Sequence, residues 1–195
     1  MFADPIENLK LLDLKQGMQV ADLGAGSGSY SLAAGRLVGP KGRVFAIEVQ
    51  KDLLPAIKKN ATEQGVSNVE VVWGDIENST GTRLRESSVD RVIVSNLLFQ
   101  VSDRLGLVTE INRITKPNGK VMVVDWSELS NLRSVAESKK TLGGDWFDVS
   151  NKTGPRQGSL VAESDAVSLF ETAGMSLEKK FNAGDHHYGL IFIKK

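Results

Sequence analysis

The chain has 195 residues, 41% hydrophobic and 25% charged, with 24 Lys plus Arg balancing 24 Asp plus Glu. That fits one globular domain over 1–195 with a buried core, and a formal net charge of zero supplies no global field for nucleic acid. The lack of cysteine excludes disulfides and thiolate metal sites, no apolar run approaches the roughly 20 residues of a membrane span, and Met1-Phe2-Ala3-Asp4-Pro5 lacks the basic and apolar parts of a signal peptide, so a soluble, cytoplasmic protein is expected.

Within the N-terminal segment 1–16, residues Pro5 to Leu14 read as a short helix capped by Asp4, with Pro5 at its first position and Ile6, Leu9 and Leu12 or Leu14 facing inward. Gln19 to Leu23 is the first strand, followed by Gly24-Ala25-Gly26-Ser27-Gly28 and a helix to about Leu37 that Gly39-Pro40 ends. A second strand, Arg43 to Glu48, is nearly continuous in apolar character, as a strand covered on both faces should be. A helix over Lys51 to Gln64 and a strand over Asn68 to Trp73 come next, with Phe45 and Trp73 expected in the core. The fourth strand is Val89 to Ser95. The helix Arg104 to Thr115 turns Leu105, Val108, Ile111 and either Ile114 or Leu107 inward. Pro117-Asn118-Gly119 turns into the fifth strand, Lys120 to Asp125. Alternating strands and helices predict a parallel sheet with right-handed crossovers.

The last third changes character. An irregular helix is expected within Ser127 to Gly144, and Asp145 to Ser159 is too polar and long for a plain connection. We read 127–160 as a substrate or lid segment, with Trp146 and Phe147 either lining a pocket or covering the sheet. After a helix over Glu163 to Ala173, the strands Met175 to Phe181 and Tyr188 to Ile193 are close enough to form an antiparallel hairpin. Lys139-Lys140 and Lys179-Lys180 read as solvated faces.

Four features converge on one edge of this sheet. The glycine loop follows the first strand, but its spacing is Gly-x-Gly-x-Gly, with the third glycine one residue earlier than in a dinucleotide fingerprint. That argues against a pyrophosphate-containing ligand. Glu48, at the end of the second strand, is placed to accept both ribose hydroxyls of an adenosine. Asp75, after the third strand, can accept from an adenine amino group, and it also reads as an ordinary turn residue. Ser95-Asn96 end the fourth strand. All four lie at carboxyl ends of strands, where open α/β sheets bind ligands.

With these residues in place, the chain resembles the class I S-adenosylmethionine-dependent methyltransferases. Val20-Ala21-Asp22-Leu23-Gly24-Ala25-Gly26-Ser27-Gly28 is similar to that family's first motif, and Thr115-Lys116-Pro117-Asn118-Gly119-Lys120 to its Leu-Lys-Pro-Gly-Gly segment, with Asn for one Gly. Within the class, the resemblance is to small stand-alone methyltransferase domains of the ubiquinone and menaquinone biosynthesis type. It implies a Rossmann-like three-layer α/β sandwich with a seven-stranded, mostly parallel sheet and an antiparallel C-terminal hairpin. S-adenosylmethionine is the implied cofactor. Its implied contacts are Asp22 near the ammonium, Gly24, Ala25, Gly26 and Gly28 around the methionine part, Glu48 on the ribose and Val49 against adenine. Asp75 and Ile76 would read the adenine edge, and Ser95 and Asn96 would lie at the methyl-transfer end.

The implied reaction is in-line methyl transfer to a small-molecule or lipid-like acceptor. No base declares itself. The candidates are Asp125, at the end of the fifth strand beside Trp126, and His187, which with His186 also reads as a surface or strand-capping residue. The two histidines lack a third metal ligand at credible spacing, so no metal is expected. The Asn/Asp-Pro-Pro-aromatic motif of DNA and glutamine methylation is absent, which weakens nucleic acid as acceptor. An RNA or protein methyltransferase, a non-catalytic cofactor-binding module and a Rossmann oxidoreductase remain as alternatives.

Overall fold

The computed structural model describes residues 4–127, 160–184 and 186–195. Most of the expected lid segment, with its irregular helix, Trp146, Phe147 and Lys139-Lys140, lies outside the described residues. The elements are α1 (Pro5–Leu11), β1 (Gln19–Leu23), α2 (Ser29–Val38), β2 (Arg43–Glu48), a 3-10 turn (Lys51–Leu53), α3 (Leu54–Glu63) and β3 (Val69–Trp73). They continue with β4 (Val89–Ser95), α4 (Arg104–Ile114), β5 (Thr115–Trp126), α5 (Glu163–Thr172), β6 (Met175–Gly184) and β7 (His187–Lys194).

One seven-stranded sheet runs in the order β3-β2-β1-β4-β5-β7-β6. The first five strands pair in parallel, and β7 is antiparallel to both β5 and β6. The strand order changes direction between β1 and β4. Connections diverge there and leave a crevice beyond the carboxyl ends, where such sheets hold ligands. The glycine loop and Ser95-Asn96 flank that point.

Side chains alternate between two cores. Ala21, Leu23, Val92, Val94, Val121, Val123, Leu190 and Phe192 pack with α4 and α5, where Phe170 stacks on Phe192 at 4.4 Å. Val20, Ile93, Met122, Val124 and Ile191 turn the other way, onto α1 and α2. The alternation follows from the pleat, and it fixes which face each strand-end residue serves.

Asp4 caps α1 by accepting from Ile6 N at 2.8 Å. Arg91 anchors the chain after this helix by donating from Nε to the Leu12 carbonyl at 2.9 Å. α2 has no side-chain cap; its N-cap is Gly28 at φ 85°.

Some expectations change. Ile6 (49% exposed) and Leu105 (51%) face outward, while Leu9, Leu12, Leu107, Val108, Ile111 and Ile114 supply the buried stripes. The strand β5 begins at Thr115 and includes Pro117-Asn118-Gly119, accommodated by a register shift between Val89 and Arg91. Trp73 is 37% exposed, because β3 is an edge strand. Its Nε1 donates to the Val49 carbonyl at 3.0 Å, and the Lys51 ammonium and Arg83 guanidinium face its ring at 5.2 and 4.8 Å. Among the described residues, no helix is long and apolar enough to cross a membrane.

Candidate active site

The glycine loop is held between the tips of β1 and β2. Gly24 N and Ala25 N both donate to the Ile47 carbonyl, at 2.9 and 3.0 Å. Glu48 secures the next turn from the side: its Oε2 accepts from Gly26 N and its Oε1 from Gln50 N, each at 2.9 Å. The buried carboxylate therefore has a fixed orientation while retaining lone pairs for further donors.

Two cavities meet over this loop. The larger, about 430 Å³, is lined by Asp22, Gly24, Ala25, Gly26, Ser95 and Asn96, together with Pro5, Ser27, Ser29, Tyr30, Gln100, Trp126 and His187. The smaller, about 210 Å³, takes Glu48, Val49, Asp75 and Ile76 with Gly24, Gly26, Gln100 and neighbouring loop residues. Gly24, Gly26 and Gln100 belong to both, so the crevice runs continuously across the loop. Of the residues expected to hold the cofactor, only Gly28 lines neither cavity. It terminates the cradle under Ile57, whose Cγ2 would lie 3.0 Å from an added Cβ.

Asp22 is buried on the α1/α2 face. Its Oδ2 accepts the Ser31 hydroxyl at 2.5 Å, and burial, only partly offset by that bond, pushes its carboxyl up to about 6. Tyr30 accepts from Asn8 Nδ2 at 2.9 Å and is bonded to Ser95; burial raises its phenol. Asn96 sits at φ 52° with a buried, unpartnered Oδ1. Asp75 Oδ1 accepts from Glu77 N at 3.2 Å and its Oδ2 from Asn78 Nδ2 at 2.7 Å, so it shapes its own turn while lining the smaller cavity.

The two base candidates separate by strand parity. Asp125 points to the α4/α5 side. Its Oδ2 accepts from Leu98 N and its Oδ1 from Trp126 N, each at 2.8 Å, and it lines neither cavity. Burial raises it to about 6, and its observed work is to anchor the loop after β4. The expectation that it faces substrate is thereby corrected. His187, paired across the sheet with Trp126, shares that residue's face and is buried rather than a surface or capping residue. Their rings lie 4.4 Å apart at 37°.

Tyr30, Gln100 and Trp126 were not among the candidates for cofactor binding or catalysis. Tyr30 had one local signal, its place in the first helical turn after Gly28. Gln100 had none, since its role depends on where the β4–α4 loop folds back: Nε2 donates to the Asn96 carbonyl at 2.6 Å.

A glycine cradle at the switch point of a 3-2-1-4-5-7-6 sheet, with an acidic residue closing the tip of β2, defines an adenosyl-binding α/β domain of the methyltransferase class. The chain belongs to the family described as "Methyltransferase domain", whose model matches residues 14–174, and its fold is that of the class I S-adenosylmethionine-dependent methyltransferases. A demethylmenaquinone methyltransferase of Listeria monocytogenes serotype 4a is 27% identical over 122 residues, covering 63% of this chain and 50% of that protein. The chain thus spans about half the length of the curated relatives it matches. A SAM-dependent methyltransferase from Aquifex aeolicus superposes with a TM-score of 0.79 at 25% identity, over 100% of this chain and 91% of that one. The Bacillus YcgJ protein shares the fold at TM-score 0.69 and 16% identity, over 98% of each chain.

The cradle fits S-adenosylmethionine. A Cβ at Gly26 would meet only the Gly24 carbonyl, at 3.9 Å, so open space faces the loop. The unpartnered Asn96 oxygen and the buried Asp22 carboxylate both suit an ammonium donor. No lysine or arginine lines either cavity among the described residues.

Proposed function

We propose that the protein transfers the methyl group of S-adenosylmethionine to a small-molecule or lipid-like acceptor entering the larger cavity. The observation that carries this reading is the continuity of the crevice. The smaller cavity, with Glu48 and Asp75, suits an adenosine. The larger one extends past Ser95 and Asn96 to a wall of Trp126 and His187. Similarity to the Listeria demethylmenaquinone methyltransferase supports a lipid-like acceptor. Membership of the methyltransferase-domain family sets the oxidoreductase alternative aside.

When bound, the cofactor supplies an activated sulfonium methyl, which needs positioning and water exclusion more than covalent help. Asp22 and Asn96 would hold the ammonium, and N–H groups at the start of α2 would take the carboxylate. Glu48, already aimed by Gly26 N and Gln50 N, would receive the ribose hydroxyls. Val49, its backbone held by Trp73, would pack on the adenine. Asp75 and the Ile76 N–H would read the adenine edge.

Two substitutions test the cofactor half by calorimetry. Glu48→Ala removes charged hydrogen bonds worth about 1.5–3 kcal/mol each, so the dissociation constant should rise at least thirtyfold. Asp75→Ala should cost ~1–2 kcal/mol for one lost bond. Unchanged affinity in the first would remove the ribose from Glu48, and in the second would move the adenine elsewhere. A panel of metabolites, lipids and RNA offered with methyl-labelled cofactor tests the acceptor half; label transferred only to RNA or protein would overturn it.

A further inference from the structure

One side chain in the larger cavity has no role in holding the cofactor. His187 is 5% exposed, lines the cavity, and has no hydrogen-bond partner at either Nδ1 or Nε2. Buried polar atoms are paired in the great majority of cases, and an exception calls for a ligand or a chemical task. Strand alternation turns His187 to the same face as Asp22, across the cavity from the glycine loop, with the Trp126 ring beside it. The charge around it is sparse. Asp22 is the only carboxylate lining this cavity among the described residues, it lies at the cofactor end, and no cation lines the wall. Among the described residues a carboxylate acceptor would find no counter-ion there, and an ammonium acceptor would compete with the cofactor's own for Asp22.

We propose that His187 is the general base of the transfer, taking the proton of an uncharged, hydroxyl-bearing acceptor that lies along Trp126. The proposal rests on the methyl-transfer reading above. In the step, the acceptor oxygen forms its bond to the methyl carbon, the sulfur–methyl bond breaks with its electron pair left on sulfur, and the hydroxyl proton passes to an imidazole nitrogen. The imidazolium then releases that proton to solvent. Charge is conserved within the cavity, since the positive charge lost at sulfur reappears on His187, so no net charge is created in a poorly solvated site.

Burial, with a smaller contribution from neighbouring His186, holds the His187 imidazole down to about 4. The proton-accepting form is therefore present throughout the neutral range. A base this weak suffices, because an oxygen undergoing alkylation is becoming a protonated ether, far more acidic than imidazolium. Among the described residues, the other titratable groups lining this cavity are Asp22 on β1 and Tyr30 on α2.

The test uses the complex with S-adenosylhomocysteine and two probes, 4-ethylphenol and 4-ethylanisole, which differ by the hydroxyl proton. Wild type should bind the phenol at least tenfold more tightly. In His187→Phe that preference should fall to within twofold, and His187→Gln, which keeps a carbonyl acceptor, should restore part of it. S-adenosylhomocysteine affinity should stay within twofold in both variants. Nitrogen-15 spectra should show His187 neutral down to pH 5, with one ring nitrogen shifting when the phenol is added. Failure of wild type to bind S-adenosylhomocysteine would remove the underlying methyl-transfer reading. Intact binding with no preference for the phenol, or a preference that survives His187→Phe, would overturn the base alone.

Discussion

A Gly26→Val variant should fold and bind S-adenosylmethionine at least a hundredfold more weakly than wild type. Gly26 has φ 55°, a conformation that a β-branched residue adopts only with strain of about 1–3 kcal/mol. Against a typical folding free energy of about 5–15 kcal/mol, that leaves the domain folded. Room for the side chain exists only because the cradle is open. The added Cβ would have Gly24 O as its nearest neighbour at 3.9 Å, and Gly26 lines both cavities. The two valine methyls would therefore occupy the volume assigned to the cofactor. Gly17→Ala separates strain from occlusion. Gly17 also has positive φ, at 86°, with nothing within 4 Å of its would-be Cβ. It should lose comparable stability in thermal melts and keep full affinity. Gly24→Val is a poorer probe, since its Cβ would lie 2.8 Å from Leu97 Cδ1 and disturb packing as well. Affinity within threefold of wild type in Gly26→Val would mean that the loop is not the cradle.

What could be read from sequence was what depends on local chain geometry. Three glycines after an apolar strand, an acid closing the next strand and an Asx turn after the third are all counted from strand ends, and strand ends were marked by polar or glycine residues. What escaped depends on pairing between distant segments. The strand β5 is buried on both faces, so Val121, Met122, Val123 and Val124 show no alternation from which the direction of Asp125 could be inferred. Its face becomes visible only in the register Asp125↔Tyr188 and Trp126↔His187. The same pairing buries His187, although its neighbourhood Gly184-Asp185-His186-His187 reads as an exposed turn. Ile6 and Leu105 satisfy helical periodicity, and the docking angle of a short helix decides whether such flank positions face in or out. Trp73 looked like core because β3 is apolar, yet a strand at the sheet edge has one neighbour to cover it.

Asp22→Asn should stabilise the free protein and weaken its hold on the cofactor. The folded-state pKa of Asp22, about 6, lies above the unfolded value of 3.8. The native state therefore binds the extra proton between those values, and the associated stability is present below pH 3.8 and lost as pH rises through 6. Above pH 7 the ionised carboxylate is a net cost of about 3 kcal/mol, since each pKa unit is worth about 1.36 kcal/mol. Asparagine resembles the protonated acid. Its carbonyl can still accept the Ser31 hydroxyl, so the bond at 2.5 Å has a successor. At pH 8 the variant should melt about 6–12 °C higher, on the basis of ~2–4 °C per kcal/mol for a chain of this size. The gain should shrink toward zero near pH 4. Binding should move the other way. A charge-assisted bond is worth roughly 1.5–3 kcal/mol, so loss of the carboxylate should raise the dissociation constant tenfold or more. The two effects share one cause, a charge kept in a desolvated place for the ammonium that neutralises it. Wild type should accordingly release a fraction of a proton on binding S-adenosylmethionine at pH 6, seen as a dependence of calorimetric enthalpy on buffer ionisation heat, and Asp22→Asn should lose that fraction. A variant that melts lower at pH 8 would show that Asp22 is ionised at no cost. Unchanged affinity would assign the ammonium to Asn96 alone.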